Sequence, residues 1–378
     1  MPKPMRVLRV SSRPSDKRPG MGLAAFELTR DPRFVTEFYT WAAALGETHI
    51  PLPGAQTLSR TLWFPNPTMP KSRRGFRFLW LQGVRLFAIA WFMVQFFVRA
   101  RGSRPDVVHI HSPMYAPIAW WGRRRGAATF LTIHGTDFTR VKESPRLRAW
   151  LHPLDGILCV SQEQMRHFEV WFPDKRVEFV SNGVDTDFFR NDVTFDAREP
   201  LVVAVGTLRW HKDYPTLIEA FACALRDHPQ WRLTVLGEGP ERDKLQAQIE
   251  SLGVAEAVRL AGAVGRDELR SWLGRARIYA LSSVAEGLPK ALLEGMAAGC
   301  ACIATRVGEC ASVLGDSGVL VPAGDVDALA SALNTCMRDA GHCLRNGEAA
   351  RAHAAGFSWA AYSDHHHRIY QSILQQRL

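Results

Sequence analysis

The chain has no cysteine framework, no hydrophobic run long enough to cross a membrane and, between residues 51 and 100, no acidic residue at all. Its seven cysteines include no Cys-x-x-Cys spacing, which excludes a disulfide scaffold and points to a reducing compartment. Cys300 and Cys302 alternate with small residues and read as a buried strand, not a metal pair. The first residues, Met-Pro-Lys-Pro-Met-Arg, lead into a strand without the apolar segment of a signal peptide, so the chain is expected to stay in the cytosol. The longest apolar stretch, residues 86–98 interrupted by Gln95, falls short of the ~20 residues that a bilayer demands. Helix-turn-helix, RNP, zinc-finger and KH patterns are also missing, and nucleic acid is therefore excluded as a partner.

What is present is globular: 378 residues, 47% hydrophobic, enough for two domains of ordinary size. The net charge of +10 is unevenly spread. Residues 1–150 hold 24 Lys and Arg against 8 Asp and Glu, and the remainder is acidic. An anionic surface is implied as partner of the N-terminal half. Lys71, Arg73, Arg74, Arg77 and Arg85 lie among Trp63, Phe64, Phe76, Phe78 and Trp80, an interleaving that suits an anionic membrane surface. Residues 76–101 themselves read as a helix buried against a sheet, or as an interfacial helix lying on lipid.

Residues 281–299 organise the chain. A strand ending near Ser282 turns through Glu286-Gly287-Leu288-Pro289 into a helix, with Glu294 one and a half turns inside it. One carboxylate sits beside the helix mouth and the other points along its first turns. Between them lie free backbone N–H groups and the positive end of the helix dipole, where a diphosphate would be held with hydroxyl-bearing groups on either side. Other strands deliver polar residues to loops in the same way. Gly20-Met21-Gly22 follows the first strand, His134-Gly135-Thr136-Asp137 follows another, and Thr207-Leu208-Arg209-Trp210-His211-Lys212 follows a third. Open α/β sheets bind ligands at such carboxyl ends. His109 and His111 are expected in packing, and His365, His366 and His367 on a solvated final helix.

The Glu286-x7-Glu294 spacing, with Glu-Gly-Leu-Pro and Leu-Leu-Glu-Gly-Met-Ala-Ala-Gly around it, resembles the signature of the family 4 retaining glycosyltransferases. The likeness extends from Asp106 to the end and is thinnest before that. It implies an α/β fold of GT-B arrangement, two doubly wound Rossmann-like domains facing a central cleft. They are expected as residues 1–184 and 185–358, with a last helix, about 359–378, packing back on the first. It implies His134, Glu286 and Lys212 as catalytic residues. Gly20, Gly22, Arg209, Lys212, Gly287, Leu288, Lys290 and Glu294 would bind the donor, without a metal or cofactor. The family's diphosphate-binding Arg falls on Thr207 here and its loop Gly on Asp213, so Arg209 is expected to replace the missing cation. Asp185-Thr186-Asp187 is a DxD string, read as acidic turn residues because the surrounding motifs belong to the metal-free fold. The expected reaction moves a sugar from a UDP- or GDP-sugar to a hydroxyl of a glycan or lipid-linked acceptor in polysaccharide or lipopolysaccharide assembly, at the inner face of the cell membrane. A nucleotide-sugar-binding subunit without turnover, or an epimerase or hydrolase, are the alternatives.

Overall fold

The computed structural model describes residues 3–11, 24–25, 27–42, 57–63, 76–190 and 193–377. It divides into two units, Met1–Val180 with Ser363–Leu378, and Ser181–Tyr362. The first contains strands β1 (Met5–Val10), β2 (Phe34–Ala42) and β3 (Thr57–Trp63), helix α1 (Phe76–Arg99), β4 (Val107–Ile110), α2 (Ala116–Arg123), β5 (Ala128–Ile133), α3 (Gly135–Glu143), β6 (Gly156–Cys159) and β7 (Arg176–Phe179). The second contains β8 (Glu199–Val205), α4 (Tyr214–Leu225), β9 (Arg232–Leu236), β10 (Val258–Gly262), α5 (Arg266–Arg275), β11 (Ala276–Leu281), α6 (Lys290–Ala297), β12 (Ala301–Thr305), β13 (Val319–Val321) and α7 (Ala340–Ala354). A closing helix α8 spans Trp359–Gln375.

Both sheets are parallel throughout, ordered β3-β2-β1-β4-β5-β6-β7 and β10-β9-β8-β11-β12-β13. Their central strands are near-continuous apolar runs, as covering both faces of a parallel sheet requires. In each sheet the chain reverses its direction of winding once, beside β1 and β4 in the first unit and beside β8 and β11 in the second. Open α/β sheets bind their ligands at the carboxyl ends of the strands beside such a reversal.

Alternation along the first sheet puts Leu8, Val10, Val108 and Ile110 into one core with Phe92 and Phe96 of α1. The opposite face is unexpectedly polar. Arg9 and His109 are register partners on β1 and β4, and both are fully buried. Tyr370 of α8 covers them: its hydroxyl accepts from Arg9 Nη1 (3.1 Å) and lies 2.5 Å from His109 Nδ1. Arg9 Nη1 is also 3.3 Å from that nitrogen, and Nε2 faces Thr132 Oγ1 at 2.8 Å. Because a guanidinium only donates, Nδ1 is the acceptor and Nε2 carries the hydrogen. Burial, reinforced by the neighbouring cations and imidazoles, holds His109 well below its ordinary pKa, so the ring is neutral.

The expectation of a solvated histidine run fails here. His366 is fully buried, stacked 5.7 Å from His109. His365 bonds Glu178 through Nε2 (2.8 Å), and His367 lies 5.7 Å from the Phe34 ring. The helix is amphipathic in a sense that sequence did not reveal, because the face it covers is itself made of Arg9, His109 and His111.

Tyr370→Phe keeps the ring and deletes the hydroxyl that joins Arg9 to His109. It is expected to cost about 1–3 kcal/mol, the penalty of leaving buried polar groups unsatisfied. The urea midpoint should fall at unchanged m-value; an unmoved midpoint would show that the network carries no stability.

Candidate functional site

The reversal point of the second sheet brings two loops together. After β8 the chain enters a short 3-10 turn, Trp210–Lys212; after β11 it enters the turn that precedes α6. They are stitched by backbone and hydroxyls: Val284 N donates to His211 O (2.9 Å), and Ser282 Oγ to Lys212 O (2.8 Å). Thr305 Oγ1 at the end of β12 donates to Ser283 O (2.6 Å). On this frame Lys212 Nζ meets Glu286 Oε1 at 2.5 Å, and Ser283 Oγ donates to the same oxygen at 2.6 Å. Both side chains are largely shielded, 18% and 10% exposed, so the ion pair is held in a low-dielectric pocket instead of open water. Glu286 Oε2 makes no hydrogen bond among the described residues. One oxygen is fixed and the other is available.

Beyond Glu286, Pro289 caps α6 without a side-chain hydrogen bond; Lys290 N donates to Leu288 O (3.0 Å) and Leu292 N and Leu293 N to Pro289 O (3.1 and 3.3 Å), which among the described residues leaves Ala291 N as the first-turn N–H open to a ligand or water. Gly287 is exposed, and a Cβ there would meet nothing within 4 Å. Leu288 is half-buried against the core and Lys290 opens the helix. Glu294 lies one turn further. Burial pushes its carboxyl up to about 7, partly offset by Lys290 and Arg266. Burial in turn lowers Lys290, against the attraction of Glu294. Arg266 is itself fixed, its Nη2 2.5 Å from Asp185 Oδ2 and its guanidinium 3.9 Å above the Phe188 ring. Asp185 also accepts from Phe188 N (3.1 Å), so the DxD string serves as a helix cap and an ion-pair partner.

Arg209 is exposed and its guanidinium has no partner among the described residues, while Thr207, also exposed, offers no charge. Asp213, where the family pattern has Gly, adopts φ 46° and is the one described non-glycine residue with positive φ. Two glycines set the geometry of the loops. Gly308 has φ 49° and a Cβ there would lie 2.1 Å from Glu286 O; at Gly237 it would lie 1.8 Å from Gly206 O. Sequence reading missed Ser283 and Thr305, which aim Glu286, although Ser282-Ser283 stands directly before the motif. It also missed Tyr214 and Tyr279, buried hydroxyls without hydrogen-bond partners among the described residues, whose pKa values burial and then, among other charges, that of Glu286 push upward.

In the first unit His134 stands where expected, directly after β5, as the residue capping α3. Behind it the rings of His111 and His109 follow in near-parallel planes at 6.3 and 4.3 Å spacing. Gly20 and Gly22 lie outside the described residues, as do Lys71, Arg73, Arg74 and Phe64 and the side chains of Trp63, Phe76, Arg77, Phe78, Trp80 and Arg85.

Two family profiles match: Glycosyltransferase Family 4 over residues 59–188 and Glycosyl transferases group 1 over residues 185–353. The chain is 27% identical to the N-acetyl-alpha-D-glucosaminyl L-malate synthase of Bacillus anthracis, over 67% of this chain and 70% of that protein. It is 35% identical to an exopolysaccharide phosphotransferase of Streptomyces coelicolor over 38% of this chain, a match that spans only 15% of the relative's length. Among solved structures it is similar to sucrose-phosphate synthase of Thermosynechococcus elongatus (TM-score 0.70, 17% identity, 98% of this chain and 100% of that one). Anabaena HepE in complex with UDP and glucose is similar at TM-score 0.66, with 18% identity over 97% of this chain and 100% of that one.

The raised pKa of Glu294 has a sign. Between about pH 4.5 and about 7 the folded carboxyl keeps a proton that the unfolded chain has released, so this group's contribution makes stability fall as pH rises across that window. Urea unfolding of the native chain and Glu294→Gln at pH 5 and pH 8 should show a smaller loss on going to pH 8 in the variant. Equal losses would mean that Glu294 titrates normally.

Proposed function

We propose that this chain, a member of the family 4 glycosyltransferases by two adjoining profiles that together span residues 59–353, transfers a hexosyl group from a UDP- or GDP-sugar to a hydroxyl of a glycan or lipid-linked acceptor. The anomeric configuration is retained and no metal takes part. The observation that carries this reading is the half-held carboxylate of Glu286, Oε1 fixed by Lys212 and Ser283 with Oε2 left to accept from a sugar hydroxyl. Solved relatives of the same fold bind UDP and UDP-glucose, which supports a nucleotide-sugar donor.

Breaking the bond from the anomeric carbon to the phosphate oxygen leaves positive charge on the sugar and negative charge on the departing diphosphate. Lys212 has three N–H donors and can keep Glu286 on one while offering the others to that diphosphate. Arg209 and the positive dipole end of α6 with its unbonded Ala291 N, together with Gly287, Leu288 and Lys290, complete the anion-stabilising set. Glu294 accepts from the ribose. Gly20 and Gly22 let backbone approach the donor, and His134 orients the sugar and its phosphate. The pathway is cell-surface polysaccharide or lipopolysaccharide assembly on the cytoplasmic side of an anionic membrane, in line with the basic N-terminal half. A donor-binding subunit without turnover is the second reading, favoured by Thr207 at the position of the family's Arg.

A thermal-shift panel of UDP-, GDP- and ADP-sugars identifies the donor, since ligand at a hundred times its dissociation constant stabilises by about 2.7 kcal/mol. With it, Glu286→Gln, Lys212→Met and His134→Ala should each lower transfer on the order of a hundredfold or more while unfolding midpoints stay near native. Normal turnover in all three overturns the assignment, and donor binding without any transfer in the native chain favours the second reading.

A further inference from the structure

Helix α1 buries one apolar face and exposes another. Ala88, Phe92, Phe96 and Ala100 close the core of the first unit. Phe87, Trp91, Val94 and Val98 stand on the outer side at 65%, 41%, 51% and 57% exposure. Their spacing of four, three and four residues places them in one stripe about 16 Å long, where a surface helix normally carries polar groups. Among the described residues, no helix is long and apolar enough to cross a membrane.

Exposed charge at the C-terminal end of the stripe is mostly basic. Arg99, Arg101, Arg104, Arg124 and Arg125 are exposed where α1 ends and where α2 runs out beside it. Arg125 joins the two ends, donating to Arg101 O (3.2 Å) and lying 4.5 Å over the Trp121 ring. A cavity of about 460 Å³ opens among Arg6, Arg99 and Arg104. The acids beside it are already engaged: Asp106 by Arg6 at 3.1 Å, and Glu37 by the Tyr39 and Ser103 hydroxyls at 2.7 and 2.6 Å.

We propose that the outer stripe of α1 and the arginine rim at its C-terminal end form the surface on which this protein docks to an anionic phospholipid bilayer. The proposal deepens, and rests on, the membrane contact included in the function above. A stripe on a single helix is convex. A protein partner would need a groove shaped to Phe87 and Trp91, whereas a fluid head-group boundary accepts a convex ridge without a preformed complement. The arginines meet lipid phosphates at the depth where the stripe enters the acyl boundary, and the absence of any acid from residue 51 to residue 100 removes repulsion from that face.

Vesicle co-sedimentation of the full chain tests it, with phosphatidylcholine alone and with phosphatidylcholine mixed with phosphatidylglycerol. The native chain should bind the mixed vesicles, release them at high salt, and leave neutral vesicles alone. Arg101→Gln and Arg124→Gln should each weaken binding about fivefold, and Trp91→Ser with Val94→Ser by about tenfold or more, at unchanged urea midpoints. If the native chain binds mixed vesicles and all of these variants bind equally well, the membrane reading stands and this surface is wrong. If the native chain ignores anionic vesicles altogether, membrane contact itself fails.

Discussion

The candidate site of the second unit depends on an ion pair, Lys212 with Glu286, kept at 2.5 Å where the loops after β8 and β11 meet. Neither charge is free to relax into bulk water, and a pair of this kind earns its place only when its geometry is fixed and its remaining groups are satisfied. Fixation comes from hydroxyls: Ser282 on the backbone of Lys212, Ser283 on the carboxylate, Thr305 on the backbone of Ser283. The remaining group, Oε2 of Glu286, is the one left for chemistry. A site whose polar atoms were all satisfied internally would have nothing to offer a substrate.

Around the pair, charge is graded. Arg209 is exposed, Lys212 is tied to an acid, and Lys290 is pushed toward neutrality by burial while Glu294 is pushed toward its protonated form. An incoming anion at the mouth of α6 therefore meets an exposed cation, a held cation and a helix N-terminus. The backing is tight: Tyr214 and Tyr279 are buried, and Gly308 and Gly237 permit backbone approaches that any side chain would forbid.

Much of this second unit was legible in sequence because its determinants are local. Glu286, Gly287, Leu288, Lys290 and Glu294 lie within nine residues, and strand, turn and helix signals locate them without knowledge of the sheet. Lys212 was identified from a loop pattern, although its contact with Glu286 spans 74 residues. The hydroxyl clamps were missed because serine and threonine carry little signal apart from their partners. In the first unit the failure was of another kind. His366 and Tyr370 cover Arg9 and His109, contacts across as many as 361 residues, and no periodicity in α8 announces that the surface beneath it is polar. Helix α1 shows a third case, since hydrophobic periodicity marks its buried face but equally apolar residues occupy the outer one.

The central claim is that Lys212 and Glu286 act as one unit toward a sugar diphosphate. A double-mutant cycle on donor binding tests it most directly, with Lys212→Met, Glu286→Gln and both together titrated calorimetrically with the sugar nucleotide that gives the largest thermal shift. Coupled action predicts losses that fall short of additive by about 1 kcal/mol or more. Losses that sum within error would mean that the two side chains meet the ligand independently, and the account built on their pairing would not stand.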